Sequence, residues 1–143
     1  MRVVIDADGC PVVNIAADCA RKHNIECVLV CDTSHVFNIE GVKTITVSQG
    51  SDSADFKIVN LINGNDIVVT QDYGLAAMCL SKDACVINQN GLIYDENNID
   101  GLLSSRHINK KIRLSGGRTK GPNKRKPQQN DEFLKSLLYL IQK

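Results

Sequence analysis

Apolar residues along this chain recur in two alternating rhythms: short runs that suit buried strands, and three-to-four spacings that suit helices. Arg2 to Ile5 reads as a buried strand. After Gly9, Cys10 stands at a helix N-cap position and Pro11 in the first turn, where proline is tolerated. Val12, Ile15, Ala16, Cys19 and Ala20 then form an apolar stripe through about Lys22, where His23 caps the helix end. Ile25 to Val30 and Thr44 to Val47 read as further strands. Ser53 to Ile62 reads as a helix with Phe56, Val59 and one of Leu61 or Ile62 facing inward, ended by Gly64-Asn65. Asp66 to Thr70 gives a strand, Asp72 to Leu80 a helix, and Ala84 to Asn88 a strand before the turn at Asn90-Gly91. Asn98 to Leu103 begins another helix. Residues 131–142 close the chain as a helix capped by Asp131, with Phe133, Leu134, Leu137, Leu138 and Ile141 docking on the core.

Strands separated by helices of this length predict βαβ units, hence an α/β three-layer sandwich with a mostly parallel central sheet. Residues 1–143 suffice for one domain with a sizeable core and are too few for two ordinary ones. With 43% hydrophobic and 23% charged residues, the composition argues against a disordered chain, and the strand-sized apolar runs argue against a membrane span. The opening run reaches charge at Asp6 and leaves no room for a signal-peptide core, so a cytoplasmic location is expected. Cys10, Cys19, Cys27, Cys31, Cys79 and Cys85 are accordingly expected to be reduced, small core residues. Cys27 and Cys31 lie along one strand with no second pair at knuckle spacing, a poor zinc site.

Chemistry enters with the aspartates. Val3-Val4-Ile5 runs into Asp6-Ala7-Asp8, Ile67-Val68-Val69 into Thr70-Gln71-Asp72, and Ile45-Thr46-Val47 leads to Asp52-Ser53-Ala54-Asp55. If the runs are neighbouring parallel strands, these carboxylates meet at one carboxyl edge, where open α/β sheets place ligands. Crowded there, they raise one another's pKa, a cost that a divalent cation relieves. Asp6, Asp8, Asp52, Asp55 and Asp72 are thus candidate ligands for Mg²⁺ or Mn²⁺, which favour oxygen donors. Taken singly, Asp52, Asp55 and Asp72 are equally suited to capping helices. It is the coincidence of three sites that points to metal.

The net charge of +1 conceals a segregation. Residues 1–105 hold six Lys and Arg against fourteen Asp and Glu. From Arg106 to Lys126 nine basic residues, Arg106, Lys110, Lys111, Arg113, Arg118, Lys120, Lys124, Arg125 and Lys126, occur with no acidic one. A basic arm, 106–126, on an acidic body suits a polyanion such as nucleic acid, with no membrane involved. The alternative is a solvated segment whose charge only aids solubility.

The motifs Asp6-Ala7-Asp8-Gly9-Cys10-Pro11-Val12, Gly50-Ser51-Asp52-Ser53-Ala54-Asp55, Thr70-Gln71-Asp72 with Leu75-Ala76-Ala77, and Gly116-Gly117-Arg118-Thr119-Lys120-Gly121-Pro122 together resemble the YaiI/YqxD family of small bacterial proteins. Asp100 to His107 also resembles the segment that precedes the family's basic loop. The resemblance covers almost the whole chain. It implies a fold related to PIN-like nucleases, whose acidic residues bind Mg²⁺ or Mn²⁺, and by that likeness Asp6, Asp55 and Asp72 are the catalytic set, with Asp8 and Asp52 second choices. A fourth acidic position of PIN nucleases has no counterpart near Asn88.

The function expected is therefore a metal-dependent nuclease acting on RNA or single-stranded nucleic acid. A noncatalytic nucleic-acid-binding or regulatory module with a structural metal site is the second reading. A third is a haloacid-dehalogenase-like phosphohydrolase with Asp6 as nucleophile, which calls for a downstream lysine and acidic pair, whereas here Asp72 stands alone and Lys82 ends a helix.

Overall fold

The computed structural model describes residues 1–32, 39–49, 53–105, 116 and 124–143. In chain order its elements are β1 (Arg2–Asp6), α1 (Val13–Lys22), β2 (Glu26–Asp32), β3 (Lys43–Val47), α2 (Ser53–Leu61), β4 (Ile67–Val69), α3 (Tyr73–Leu80), β5 (Cys85–Ile87), β6 (Ile93–Tyr94), α4 (residues 99–105) and α5 (Pro127–Gln142). The strands form one sheet in the order β3-β2-β1-β4-β5-β6. All pairings are parallel except β5 with β6.

Alternation along the strands divides the core in two. Val3, Ile5, Cys27, Leu29, Cys31, Ile67, Val69 and Ile87 pack beneath α1 and α5. Val4, Val28, Val30, Val68 and Val86 pack beneath α2, α3 and α4. The result is the expected α/β three-layer sandwich. All six cysteines are free, and Cys27 and Cys31 share the α1 face as core residues. Among the described residues, no helix is long and apolar enough to cross a membrane.

Strand order explains where the site lies. The chain steps from β1 outward to β2 and β3, then returns past β1 to place β4 on its other side. This reversal makes the carboxyl ends of β1 and β4 the switch point of the sheet, where the loops leave in opposite directions and open a crevice.

Several local expectations change. Cys10 does not cap α1: its N–H donates to the Ala7 carbonyl in a turn, and the helix begins at Val13 after a Val12 N-cap without a side-chain bond. His23 does cap the far end, its Nδ1 2.8 Å from the Cys19 carbonyl. Phe56 is 61% exposed, and Ile58 and Ile62 are the buried positions of this segment. Four residues apart, they face the sheet together, which turns Phe56 outward. The last helix begins at Pro127 rather than Asp131, because proline suits the first turn and the Gln129 side chain accepts from the Lys126 N–H (2.7 Å). Its Phe133, Leu137 and Leu140 are buried, while Leu134, Leu138 and Ile141 are only partly so. The short strand β6, which pairs with β5 beyond the Asn90-Gly91 turn, has no signature in the periodicity.

Candidate acidic site at the carboxyl edge

Asp6 ends β1 on the same face as Val4, and Thr70 follows β4 on the same face as Val68. The register that pairs Ile5 with Val69 brings the next residues, Asp6 and Thr70, side by side. The Thr70 hydroxyl, buried in the structure, donates to Asp6 Oδ2 over 2.8 Å and accepts the Asp72 backbone N–H over 3.0 Å. Asp72 in turn caps α3, its Oδ1 accepting from the N–H groups of Gly74 (2.8 Å) and Leu75 (3.2 Å). Sheet register and helix start are therefore joined through one hydroxyl.

Asp8 leans toward β2, where its Oδ2 accepts the Asp32 N–H at 3.0 Å. Gln71 Nε2 donates to the Gly9 carbonyl at 2.9 Å and stitches the β1–α1 loop to the β4–α3 loop. Gly9 holds a φ of +70°, a conformation that a side chain would strain. These residues line a pocket of about 500 Å³ formed by Asp6, Asp8, Gly9, Gln71, Asp72 and Tyr73.

Burial pushes the Asp6 carboxyl up from 3.8 to about 6; the Thr70 bond opposes the rise, and the charges of Asp55, Asp72 and Asp8 add to it. Asp55, in the first turn of α2, thus lies within electrostatic reach of the β1 terminus. Asp6, Asp8 and Asp72 line one pocket, and the charge of Asp55 acts on Asp6. Asp52 lies outside the described residues. Among the described residues, no three carboxylates, histidines or cysteines are drawn tightly enough together to enclose a metal ion.

Of the basic arm, Arg106, Lys110, Lys111, Arg113, Arg118 and Lys120 lie outside the described residues. Lys124 is exposed and Lys126 is the N-cap of α5. Arg125 is engaged within the fold: its guanidinium donates to Asn130 Oδ1 (2.9 and 2.7 Å), Asn90 Oδ1 (2.7 Å) and the Gln89 carbonyl (2.8 Å). Gln89 and Asn90 follow the carboxyl end of β5, which runs parallel to β4 and β1, so Arg125 lies along the same edge of the sheet as Asp6 and Asp72.

Asn88 accepts the N–H groups of Asn90 and Leu92, both at 2.9 Å, and so closes the β5–β6 turn. Lys82 lies past the C-terminal end of α3, remote from the N-terminal end that carries Asp72, and its Nζ donates to the Val59 carbonyl at 2.6 Å. Thr70, Gln71 and Tyr73 are site residues that sequence reasoning misses, although the first two stand in the same short motif as Asp72.

Comparison with known proteins places this architecture among bacterial relatives. Residues 4–143 match the family model described as "Uncharacterized BCR, YaiI/YqxD family". A UPF0178 protein of Exiguobacterium sibiricum is 50% identical over 99% of this chain and 96% of its own length. UPF0178 proteins of Ruminiclostridium cellulolyticum and Clostridium kluyveri are 48% and 44% identical over 99% of this chain, covering 92% and 93% of theirs. No solved structure matches. The acidic edge described above is thus built on the sequence of a chain that belongs to the YaiI/YqxD family.

Proposed function

We propose that this chain is a Mg²⁺- or Mn²⁺-dependent nuclease of PIN-like type acting on RNA or single-stranded nucleic acid. The observation that supports the reading is that Asp6, Asp8 and Asp72 line one pocket at the switch point, with the charge of Asp55 acting on Asp6. Carboxylate oxygens are the donors that a hard divalent cation prefers. Asp6, Asp55 and Asp72 would hold it, with Asp8 and Asp52 as further donors. Such an ion, when bound, activates water and neutralises charge on a phosphodiester.

The chain's own residues have separate tasks. Asp6, fixed at the end of β1, would present its carboxylate to the ion. Thr70 fixes one of its oxygens, and Gln71 holds the two loops that wall the pocket. The basic arm supplies backbone attraction for the polyanion, and RNA is the preferred partner in this reading.

The second reading, a noncatalytic nucleic-acid-binding module, draws on Asp72, whose Oδ1 is already committed to the α3 amides. Assays on mixed RNA and DNA oligomers with each metal separate the two. Expected is metal-dependent cleavage of single strands that disappears with chelator and in Asp6→Asn, the control against contaminating nucleases. Equal cleavage by Asp6→Asn, or oligomer and metal binding without turnover, rejects catalysis and leaves the binding module.

A further inference from the structure

Beside the carboxylates, the pocket has an aromatic wall. Tyr73, half-buried, lines it together with Asp6, Asp8, Gly9, Gln71 and Asp72. Its ring packs edge-to-face on Tyr94, with centroids 6.1 Å apart and planes at 68°. Tyr94 is buried and its hydroxyl donates to the Thr70 carbonyl at 3.3 Å. Thr70 is the residue that also holds Asp6. The plane of the Tyr73 ring and the position of the Asp6 carboxylate are therefore set by the same short stretch of chain after β4. The Asp72 cap fixes the first turn on which Tyr73 stands.

Other aromatic side chains serve different ends. Tyr94 and Phe133 are buried in the core, and Phe56 and Tyr139 are exposed and do not line the pocket. Among the described residues, Tyr73 is the aromatic that lines the acidic pocket. The Tyr73 hydroxyl can donate to a phosphate oxygen, but the face of its ring matches nothing in the backbone of a polyanion. A nucleobase offers the matching surface, since every base has a π-face.

We propose that Tyr73 is a stacking platform for one unpaired nucleobase, so that the site accepts single-stranded nucleic acid with a base turned out beside the acidic pocket. The inference rests on the nuclease reading above. It narrows the substrate class, because a duplex keeps its bases stacked on one another and gains nothing from the platform. Any base can occupy it, so the preference is for strandedness rather than sequence.

The test measures binding of a hydrolysis-resistant thiophosphate single strand and of an abasic strand of equal length and charge, with Mn²⁺, by fluorescence anisotropy. Stacking on one ring predicts that the base-bearing strand binds roughly 5- to 150-fold more tightly than the abasic one. Tyr73→Leu should bring that ratio close to one, while Tyr73→Phe and Tyr73→Trp, which keep a ring, should preserve it. Retention by the ring variants excludes a general loss of folding. An unchanged ratio in Tyr73→Leu, or a wild-type ratio near one, overturns the platform and leaves the nuclease reading standing. A wild type that binds neither strand overturns both.

Discussion

The Thr70 hydroxyl donates to Asp6 Oδ2 over 2.8 Å while accepting the Asp72 N–H over 3.0 Å, so one small side chain ties two of the carboxylate-bearing segments together. Hydrogen bonding to a carboxylate favours its charged form. In Thr70→Val the Asp6 pKa is expected to climb further above about 6, read by NMR titration of the side-chain carboxyl carbon. Leaving the Asp72 N–H without this acceptor is expected to cost roughly 1 to 3 kcal/mol in denaturant melts. A fall in the Asp6 pKa would contradict the role given to Thr70.

The raised pKa of Asp6 makes stability depend on pH in a definite direction. Because the folded state holds this proton more tightly than the unfolded chain, its contribution is complete below pH 3.8 and is lost as pH rises to about 6. Asp6→Asn removes the titration. That variant is expected to exceed wild type in stability above this window by about 2 to 3 kcal/mol, a gap that closes on its acid side. Urea melts of both proteins across the window check it, and parallel curves would show that Asp6 is not perturbed.

Metal addition should act in the opposite sense on the same residue. If the aspartates share an ion, Mn²⁺ at a hundredfold excess over its dissociation constant adds about 2.7 kcal/mol to wild type. For a chain of this length that corresponds to a rise of roughly 5 to 10 °C in melting temperature. Asp6→Asn is expected to melt higher than wild type without metal and to lose the rise with it. A wild type unmoved by either Mn²⁺ or Mg²⁺ over a wide concentration range would dissolve the shared-ion idea.

Asp72 carries two duties that substitution can separate. Asparagine is as good an N-cap as aspartate, whereas alanine costs about 0.5 to 2 kcal/mol at such a position. Asp72→Ala is therefore expected to lose that stability, and Asp72→Asn to keep it. Both should lose metal-dependent cleavage if the carboxylate charge serves the site. Full activity in Asp72→Asn would reduce this residue to a helix cap.

Much of this arrangement is legible in the residues, because it follows from periods. The alternation that buries Val4 and Val68 carries on to Asp6 and Thr70, and a mostly parallel sheet delivers both strand ends to one edge. The orientation of α2 is less legible. Phe56 reads as a core residue by composition, yet the helix turns Ile58 and Ile62 inward, and that rotation also brings Asp55 within electrostatic reach of Asp6. The start of α5 misleads for a related reason: Asp131 has the chemistry of a cap, but Pro127 and the Gln129 hydrogen bond with Lys126 support the helix earlier. Tyr73 gives no signal as a pocket wall. Its role depends on Tyr94, which arrives from a two-residue strand too short to announce itself by pattern.

The basic arm presents the last case in which charge and structure must be told apart. Replacing Lys110, Lys111, Arg118 and Lys120 with alanine is expected to weaken oligomer binding and flatten its salt dependence, by about 0.7 in the log–log slope for each single-strand phosphate that is no longer neutralised. Sequence preference should be unaffected, since backbone contacts carry none. Arg125 belongs to the same run of charge, but its guanidinium is committed to Asn130, Asn90 and the Gln89 carbonyl, which fasten the start of α5 to the β5–β6 turn. Arg125→Ala is therefore expected to lower stability by roughly 1 to 3 kcal/mol while changing the salt slope little. If the fourfold variant keeps the wild-type slope, or if Arg125→Ala alters the slope without loss of stability, the division of the arm into a binding part and an anchoring residue is wrong.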